Sequence, residues 1–314
     1  MEVVLVAGIA VFGAFQLLKP TGYKRKYSKG LPFRHALMSH RGGSNEHVEN
    51  TLPAFRYSAK LRVDILEMDV QLTKDDQVVI FHDDYLGRMC GEAFKQRQIS
   101  DYKFDELPLL VIPKKLDYKA ESLRKDKDST RIPLLTEVLN EFPKYPMQID
   151  VKNGPEKLVI QVGKLLQRNE REEFTVWGSF KPQACNLCYK HFGKSIPLFF
   201  SAPRFLKALF LHRIGLMKWM EFRESALIVP GFKWLLSPSF ISELNQSGIS
   251  VIVFGTDGSG AINSKEEWAA VNASGANGIC SDVPTELKEW LQSNPMKPTV
   301  TPFYFIFLMF ESVH

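Results

Sequence analysis

The sequence predicts an α/β protein, and specifically a TIM (β/α)8 barrel. Short β-rich runs alternate with helical patterns along most of the chain, as a parallel α/β fold requires. Eight strand candidates can be counted, which matches the barrel, although an open doubly wound sheet would show a similar alternation. The length of 314 residues suits one large domain with appendages.

The elements follow one another in a regular order. The predicted strands lie at residues 36–39, 64–70, 77–81, 146–151, 174–178, 195–200, 249–254 and 277–280. The helical patterns that separate most of them lie at residues 51–62, 133–141, 155–169, 181–191, 238–247, 264–274 and 284–292. Together they predict a barrel domain over residues 36–294. Residues 84–132 are charged and irregular, and they are predicted to form a small insertion after the third strand.

The N-terminus begins with an apolar run. Residues 3–18, VVLVAGIAVFGAFQLL, carry no charge and approach the length of about 20 residues that spans a bilayer. Glu2 precedes the run and the basic residues follow it, which is the reverse of a cleaved secretory signal. The favoured prediction is an uncleaved membrane-anchor helix over residues 1–19, ahead of a signal peptide or a buried helix.

A basic linker is predicted over residues 20–35, where lysines and arginines accumulate without an acid. Such a cluster is typical of a solvated linker, but beside an apolar run it also suits contact with anionic headgroups. The positive-inside rule then predicts that the main domain faces the cytosol. The expected location is the endoplasmic reticulum or another internal membrane.

Two later segments leave alternatives open. Residues 203–223 mix Phe, Leu, Met and Trp with Arg and Lys, which suits either an interfacial amphipathic helix or a helix packed on the barrel. A second membrane span is disfavoured because Arg204, Lys207 and Arg213 would lie inside it. The apolar tail, residues 295–314, is compatible both with docking on the barrel and with entering a bilayer.

The composition argues against several classes of protein. The formal net charge of +5 is too small to indicate nucleic-acid binding, and the sequence identifies no protein partner. The four cysteines lack the density and spacing of a disulfide framework. Cys185 and Cys188 form a CxxC, but without a second pair a zinc or redox role is less favoured than buried thiols.

Charged residues with catalytic potential lie on two predicted strands. Glu67 and Asp69 are two residues apart, so both side chains leave the same face of their strand. Two carboxylates held together repel each other unless a proton or cation lies between them, so a divalent metal ion is predicted there. Asp150 and Lys152 repeat this spacing on a later strand, and they supply a third carboxylate ligand and a fixed positive charge.

Two histidines directly follow predicted strands, His40 after the first and His82 after the third. A lone histidine at a strand end is more often structural, but two of them beside candidate metal ligands suit a general acid and a general base. Arg41 adds a second cation, and Gly42 and Gly43 are expected to let the backbone turn close to a phosphate. The set predicts a site for a phosphate ester.

These residues lie in motifs that resemble the glycerophosphodiester phosphodiesterase family. The matching motifs are HRGGSNEHVENTLPAF at 40–55, LEMDVQLTKDDQVVIFHDDYLGR at 66–88, RIPLLTEVL at 131–139 and QIDVKN at 148–153. With its apolar N-terminus, the chain is most similar to the membrane-anchored mammalian branch of lysophospholipase D enzymes. The resemblance implies a TIM barrel with a small insertion after the third strand.

The resemblance also implies roles for the site residues. These are acid/base catalysis for His40 and His82, binding of Mg2+ or Ca2+ for Glu67 and Asp69, and phosphate binding for Arg41 and Lys152. The family usually has a glutamate at the position of Asp150, so the metal role of this shorter acid is a weaker expectation. Phe254 stands where the family has a tryptophan, which predicts a reshaped pocket wall.

The family chemistry uses a free hydroxyl of the substrate to attack phosphorus, and water then opens a cyclic phosphate. The implied activity is metal-dependent hydrolysis of lysophospholipids, such as lysophosphatidylcholine or N-acyl lysophosphatidylethanolamine, to lysophosphatidic acid and the head-group alcohol. Membrane lipids are the other expected partners. One alternative is a hydrolase of soluble glycerophosphodiesters that releases glycerol 3-phosphate. Another, of a different class, is a membrane lipid-binding barrel without catalysis.

Overall fold

The computed structural model describes residues 30–152, 154–255 and 262–297. The strands are β1 (Leu37–Ser39), β2 (Ile65–Leu72), β3 (Val78–Ile80), β4 (Met147–Val151), β5 (Thr175–Gly178), β6 (Ala226–Pro230), β7 (Ser250–Phe254) and β8 (Gly278–Ser281). The α-helices are α1 (Leu52–Lys60), α2 (Gly87–Cys90), α3 (Ala120–Lys125), α4 (Leu135–Glu141), α5 (Glu156–Arg168), α6 (Pro182–Phe192), α7 (Ala202–Arg213), α8 (Pro238–Gln246), α9 (Lys265–Ser274) and α10 (Pro284–Ser293).

Seven of these strands form a parallel sheet in the order β5-β4-β2-β1-β8-β7-β6. Two residues connect its edges, because Leu198 pairs with Trp177 of β5 and Phe199 pairs with Ala226 of β6. This short segment serves as the eighth barrel strand and brings the sheet to a nearly closed, TIM-barrel-like fold. The predicted barrel is thereby confirmed, and the doubly wound alternative is wrong.

One predicted barrel strand is wrong, and one real strand is missing from the predicted set. The strand predicted at 77–81 is β3, which pairs antiparallel with β2 and lies off the barrel path. The missing strand is β6, which follows the predicted amphipathic segment at 203–223. The count of eight barrel strands is therefore correct because the two errors compensate.

The helices that flank the barrel begin and end where their sequences provide caps. The Thr51 hydroxyl accepts a hydrogen bond from Ala54 N at 3.4 Å at the start of α1. Ser264 and Glu267 form a capping box at the start of α9, and Gly275 ends that helix in the left-handed conformation. All seven predicted helical patterns correspond to helices, with boundaries that agree within two residues.

The insertion at 84–132 is folded rather than irregular. It contains α2, α3 and several short 3-10 turns between β3 and α4. Its apolar side chains form a separate core that also contacts Val48 and Phe81 beside the barrel mouth. The members from the insertion are Leu86, Met89, Cys90, Ile99, Leu110, Leu116, Leu123 and Ile132. The insertion therefore packs as a small unit next to the loops that follow β1 and β3.

The predicted N-terminal anchor, most of the predicted linker and most of the apolar tail lie outside the described residues. At the end of the predicted linker, however, Leu31 and Phe33 are buried in a cluster with barrel residues such as Met38 and Ile65. The packed domain thus begins before residue 36. Within the described ranges, we find no helix long and apolar enough to cross a membrane.

Candidate active site

A cavity of about 280 Å³ lies at the C-terminal ends of the barrel strands. All seven residues predicted for the site line it, namely His40, Arg41, Glu67, Asp69, His82, Asp150 and Lys152. The other lining residues are Gln148, Phe180, Ile228, Phe254, Gly255 and Cys280. The fold therefore brings together side chains that lie as far as 112 positions apart in the sequence, from His40 to Lys152.

The carboxylates come from β2 and β4, which are neighbours in the barrel. Their register places Asp69 beside Asp150, and all the predicted acids are buried. The ammonium of Lys152 lies 2.7 Å from Asp69 Oδ1 and 2.5 Å from Asp150 Oδ2. Although burial opposes ionisation of Asp69, Lys152 and other nearby cations hold the pKa of this carboxyl well below its usual range. Lys152 thus offsets negative charge at the centre of the site.

Two observations bear on whether these acids suit a metal ion. Burial and the charge of Asp69 raise the pKa of Glu67 to about 7, which is the behaviour of a buried carboxylate with too little positive charge around it. Among the described residues, Asp150 Oδ1 is buried without a hydrogen-bond partner. Hard oxygen donors of this kind fit Mg2+ or Ca2+.

The side chains must also be arranged in space so that they can surround a metal ion. Across the described ranges, no group of three His, Cys, Asp or Glu side chains is arranged so that it could hold a metal ion. The ammonium of Lys152 contacts both Asp69 Oδ1 and Asp150 Oδ2. A divalent ion would therefore share these carboxylates with Lys152.

His40 is held by an acid from the opposite end of the chain. Asp282 follows β8, and its Oδ1 lies 2.6 Å from His40 Nδ1. Burial alone would lower the pKa of His40, but the hydrogen bond with Asp282 raises the pKa above its ordinary value. Asp282 is itself fixed, since it accepts hydrogen bonds from Ser44 Oγ at 2.6 Å and Asn263 Nδ2 at 3.0 Å. Because an ionised carboxylate can only accept, Nδ1 of His40 carries a proton and Nε2 is the nitrogen suited to proton exchange.

His82 is held in a similar way by its neighbour in sequence. His82 Nδ1 lies 2.6 Å from Asp83 Oδ1, and Arg88 donates to both oxygens of Asp83 at 2.6 and 2.8 Å. Arg88 also donates to Glu49 at 2.7 and 2.8 Å, and Glu49 accepts from Arg41 at 2.9 Å. A continuous chain of ion pairs therefore runs from Asp83, which holds His82, through Arg88 and Glu49 to Arg41. The pairing fixes both side chains and makes Nε2 of His82 available for proton exchange.

The loop after β1 depends on unusual backbone conformations. Arg41 has φ 52°, and its backbone N–H donates to Glu67 Oε2 at 2.6 Å. Gly42 and Gly43 have φ +79° and +91°, and an added Cβ would approach Ala54 Cβ to 2.8 Å and Pro284 Cγ to 2.9 Å, respectively. The two glycines are thus required because the loop packs against α1 and α10. Neither glycine is among the residues that line the cavity, and the expected approach of their backbone to a phosphate stays a prediction.

The opposite wall of the cavity is apolar. Phe180 follows β5, Ile228 lies on β6, Phe254 ends β7 and Cys280 lies on β8. The rings of Phe180 and Phe254 are 5.7 Å apart, and the Phe254 ring centroid is 6.4 Å from that of His40. The charged residues come from the β1–β4 side, so the cavity has one ionic half and one apolar half. Such a cavity suits an amphiphilic ligand.

Sequence reasoning missed two residues that support the histidines. Asp282 directly follows a correctly predicted strand, in the same position relative to β8 that His40 has relative to β1. An acid at the C-terminal end of a barrel strand was therefore the available signal. Arg88 lies in the insertion, and only the fold shows that it contacts Asp83 and Glu49.

Comparison with known proteins agrees with the resemblance seen in the motifs. The model of the glycerophosphoryl diester phosphodiesterase family matches residues 40–286. The chain is 34% identical over 307 residues to lysophospholipase D GDPD1 of Rattus norvegicus, covering 89% of this chain and 93% of the relative. It is 32% identical over 305 residues to the human protein of the same name, with the same coverage of both chains.

Solved structures agree at the level of the fold. A phosphodiesterase of Oleispira antarctica, solved in complex with its product sn-glycerol-3-phosphate, superposes with a TM-score of 0.62 at 19% identity. The match covers 82% of this chain and 96% of that one. The cavity therefore occurs in a fold shared with phosphodiesterases. The chain belongs to the glycerophosphoryl diester phosphodiesterase family and is an enzyme of the phosphoric diester hydrolase class.

Proposed function

We propose that the chain is a lysophospholipase D, which hydrolyses lysophospholipids to lysophosphatidic acid and the head-group alcohol. The observation that carries this proposal is the cavity with two carboxylate-held histidines on an ionic half and an aromatic wall on the other half. The names of the mammalian relatives support the same substrate class.

The two histidines would perform the proton transfers. In the first step, one histidine takes the proton of the free glycerol hydroxyl as its oxygen bonds to phosphorus. The other histidine protonates the head-group oxygen as its bond to phosphorus breaks. In the second step, the histidine that is now neutral takes a proton from water as the water oxygen bonds to phosphorus. The other histidine returns its proton to the glycerol oxygen as the bond of this oxygen to phosphorus breaks, so each histidine ends in its initial protonation state. Asp282 and Asp83 keep both rings oriented through Nδ1.

Arg41 and Lys152 would bind the phosphate. Both line the cavity, and both carry a charge that neighbouring acids stabilise. Fixed cations next to the nonbridging oxygens favour the transition state because negative charge grows there during attack. Phe180 and Phe254 would exclude water and contact the apolar part of the substrate.

A divalent ion, Mg2+ or Ca2+, is proposed as the cofactor. Glu67, Asp69 and Asp150 would hold it, and when bound it would supply positive charge to the phosphate oxygens. The pKa of Glu67 and the unpaired oxygen of Asp150, which has no partner within the described ranges, support this assignment.

Removal of divalent ions is expected to reduce turnover of lysophosphatidylcholine by at least about 100-fold, because several kcal/mol of charge stabilisation are lost. The check is choline release after treatment with a chelator, followed by addition of Mg2+ or Ca2+. Glu67→Gln removes one proposed carboxylate ligand, and we expect this variant to need a higher metal concentration for half-maximal activity. Full activity of thoroughly chelated protein would contradict the metal assignment.

Replacement of Asp282, the acid that pairs with His40, is expected to change the pH dependence of kcat/KM. Asp282→Asn removes the carboxylate that raises the pKa of His40, so this pKa falls. If His40 acts as the base, the acidic limb of the kcat/KM profile moves to lower pH, and if it acts as the acid, the basic limb moves to lower pH. The limb that reports His82 stays in place. Asp84→Asn, an exposed acid at the same mouth, should leave both limbs unchanged.

A hydrolase of soluble glycerophosphodiesters remains the second candidate, and the cavity volume favours it. A space of about 280 Å³ matches a glycerophosphate group better than a whole lysophospholipid, whose acyl chain would extend through the mouth. Parallel kcat/KM measurements on lysophosphatidylcholine and glycerophosphocholine distinguish the two. We expect the lysophospholipid to have the higher kcat/KM, whereas a preference for glycerophosphocholine would establish the second candidate instead.

The proposed setting is an internal membrane, with residues 1–19 as the anchor and the barrel on the cytosolic side. The support is the sequence pattern alone, because residues 1–19 lie outside the described ranges. Asn245 and Asn272 begin glycosylation sequons, so sugar on either residue would place the barrel in the lumen instead.

A further inference from the structure

Most of the strongly exposed apolar side chains lie near the side of the barrel where the cavity opens. The described residues include seven large apolar side chains that are strongly exposed, namely Tyr85, Leu109, Val111, Tyr118, Leu206, Phe210 and Trp234. Six of them lie between β3 and α4, in the second turn of α7 or in the loop after β6, whereas Phe210 lies in the last turn of α7. A group of exposed apolar side chains on one side of a protein points to a contact surface.

Two of these segments are connected directly to the apolar wall of the cavity. Helix α7 carries Leu206 in its second turn, and the helix begins where Ala202 N donates to Phe180 O at 2.9 Å. Trp234 lies in the loop after β6, where Gly231 N donates to Phe254 O at 3.0 Å. Leu206 is 54% exposed and Trp234 is 60% exposed. These two side chains therefore lie close to the apolar half of the mouth.

A third segment lies beside the ionic half. Val111 N donates to Met89 O at 2.6 Å, next to Arg88 of the ion-pair chain. Lys115 Nζ donates to Asn45 Oδ1 at 2.6 Å, and Asn45 N donates to the carbonyl of Asp282 at 3.1 Å. Leu109, two residues before Val111, is 66% exposed. The mouth is thus flanked on both sides by exposed apolar side chains.

Lysines accompany each part of this rim. Lys114 and Lys115 follow Val111, Lys207 follows Leu206, and Lys233 precedes Trp234; all four lysines are exposed. Isolated apolar side chains with a lysine next to each are typical of surfaces that enter the interface of an anionic bilayer. Protein–protein interfaces, by contrast, are depleted in lysine.

We infer that the mouth rim, defined by Leu109, Val111, Leu206 and Trp234 with the adjacent lysines, docks on the surface of a bilayer that contains anionic lipids. The apolar side chains insert among the headgroups, and the lysines contact lipid phosphates. The cavity then opens toward the lipid, so a lysophospholipid can enter from the bilayer without crossing bulk water. This last point rests on the proposed function, whereas the docking itself does not.

The test is a depth measurement on the full chain bound to vesicles of phosphatidylcholine with phosphatidylserine. Single cysteines carrying an environment-sensitive fluorophore are introduced as Leu109→Cys, Leu206→Cys or Trp234→Cys. The native cysteines Cys90, Cys185, Cys188 and Cys280 are buried and remain unlabelled. Control labels are Arg168→Cys, at the last residue of α5, and Glu173→Cys, five residues further on; both positions are exposed. All five variants carry the same N-terminus, so an anchor alone affects them equally.

Lipids with a quencher in the upper acyl chain should quench the three rim labels at least about threefold more than the two controls, because interfacial insertion reaches a depth of about 5–10 Å. Equal quenching at rim and control sites would overturn the inference. In the Leu206→Cys background, Lys114→Glu with Lys233→Glu should reduce quenching, whereas the control pair Lys144→Glu with Arg168→Glu should not. An identical effect of both pairs would also overturn it. The labels need no turnover, so failure of docking is distinguishable from failure of the proposed activity.

Discussion

Replacing His40 or His82 by alanine is expected to lower the turnover of lysophosphatidylcholine by about 10²–10⁴-fold for each residue, which is the usual contribution of a positioned acid or base. Both rings line the cavity and are oriented by a carboxylate at 2.6 Å. Because the two groups act in the same step, the double variant should be little worse than the poorer single variant. The measurement is the initial rate of choline release by purified protein.

The matched control is His47→Ala. His47 belongs to the same loop as His40, but it packs on Tyr57 with ring centroids 4.5 Å apart and does not line the cavity. Burial lowers the pKa of His47 to about 4, so it is neutral at physiological pH. We expect its removal to leave the rate within about threefold of the parent. Unchanged turnover in His40→Ala or His82→Ala would remove that histidine from the assigned site.

Methylation of the free glycerol hydroxyl of lysophosphatidylcholine is expected to reduce hydrolysis by at least about 10³-fold. The methyl ether has almost the same shape, but it has no proton to give to a histidine, and so its oxygen cannot form the cyclic phosphate. A well-oriented internal nucleophile is worth effective molarities of about 10⁵–10⁸ M, so its loss should dominate the rate. Diacyl phosphatidylcholine, which also lacks the hydroxyl, should be equally inert.

The ether should still bind, since its phosphate and acyl chain are intact. We therefore expect it to inhibit hydrolysis of the parent lipid competitively, with an inhibition constant close to the KM of that lipid. Hydrolysis of the ether at a rate similar to the parent would show that water attacks phosphorus directly. The histidines would then still act as acid and base, but the glycerol hydroxyl would not be the nucleophile.

The barrel was predictable because its signals are local, and the two errors have separate causes. The run QVVIF has the apolar, β-branched character of a strand, and it does form β3. Whether a strand joins the barrel or folds back on its neighbour depends on pairing, which the run itself does not encode. Residues 226–230, ALIVP, were hidden by the preceding amphipathic segment and end in a proline, which is uncommon inside a sheet.

The site was predictable to the extent that its residues follow strand ends or share one face of a strand. His40 directly follows a predicted strand, and Glu67 and Asp150 each have a second charged residue two positions further on. Parallel strands bring such positions together at one end of a barrel. The partners of these residues were harder to predict from the sequence. Asp282 is 242 positions from His40, and the placement of Lys152 between two acids depends on the register of β2 and β4. Contacts of this kind arise from the closed barrel rather than from any short motif.

Product identification by mass spectrometry, after incubation of the purified full chain with lysophosphatidylcholine, shows which bond the protein cleaves and whether the two histidines are needed. We expect lysophosphatidic acid and choline in equal amounts, with both products lost in His40→Ala and His82→Ala and retained in His47→Ala. Release of a fatty acid with glycerophosphocholine, or equal release of choline from the histidine variants, would contradict this expectation.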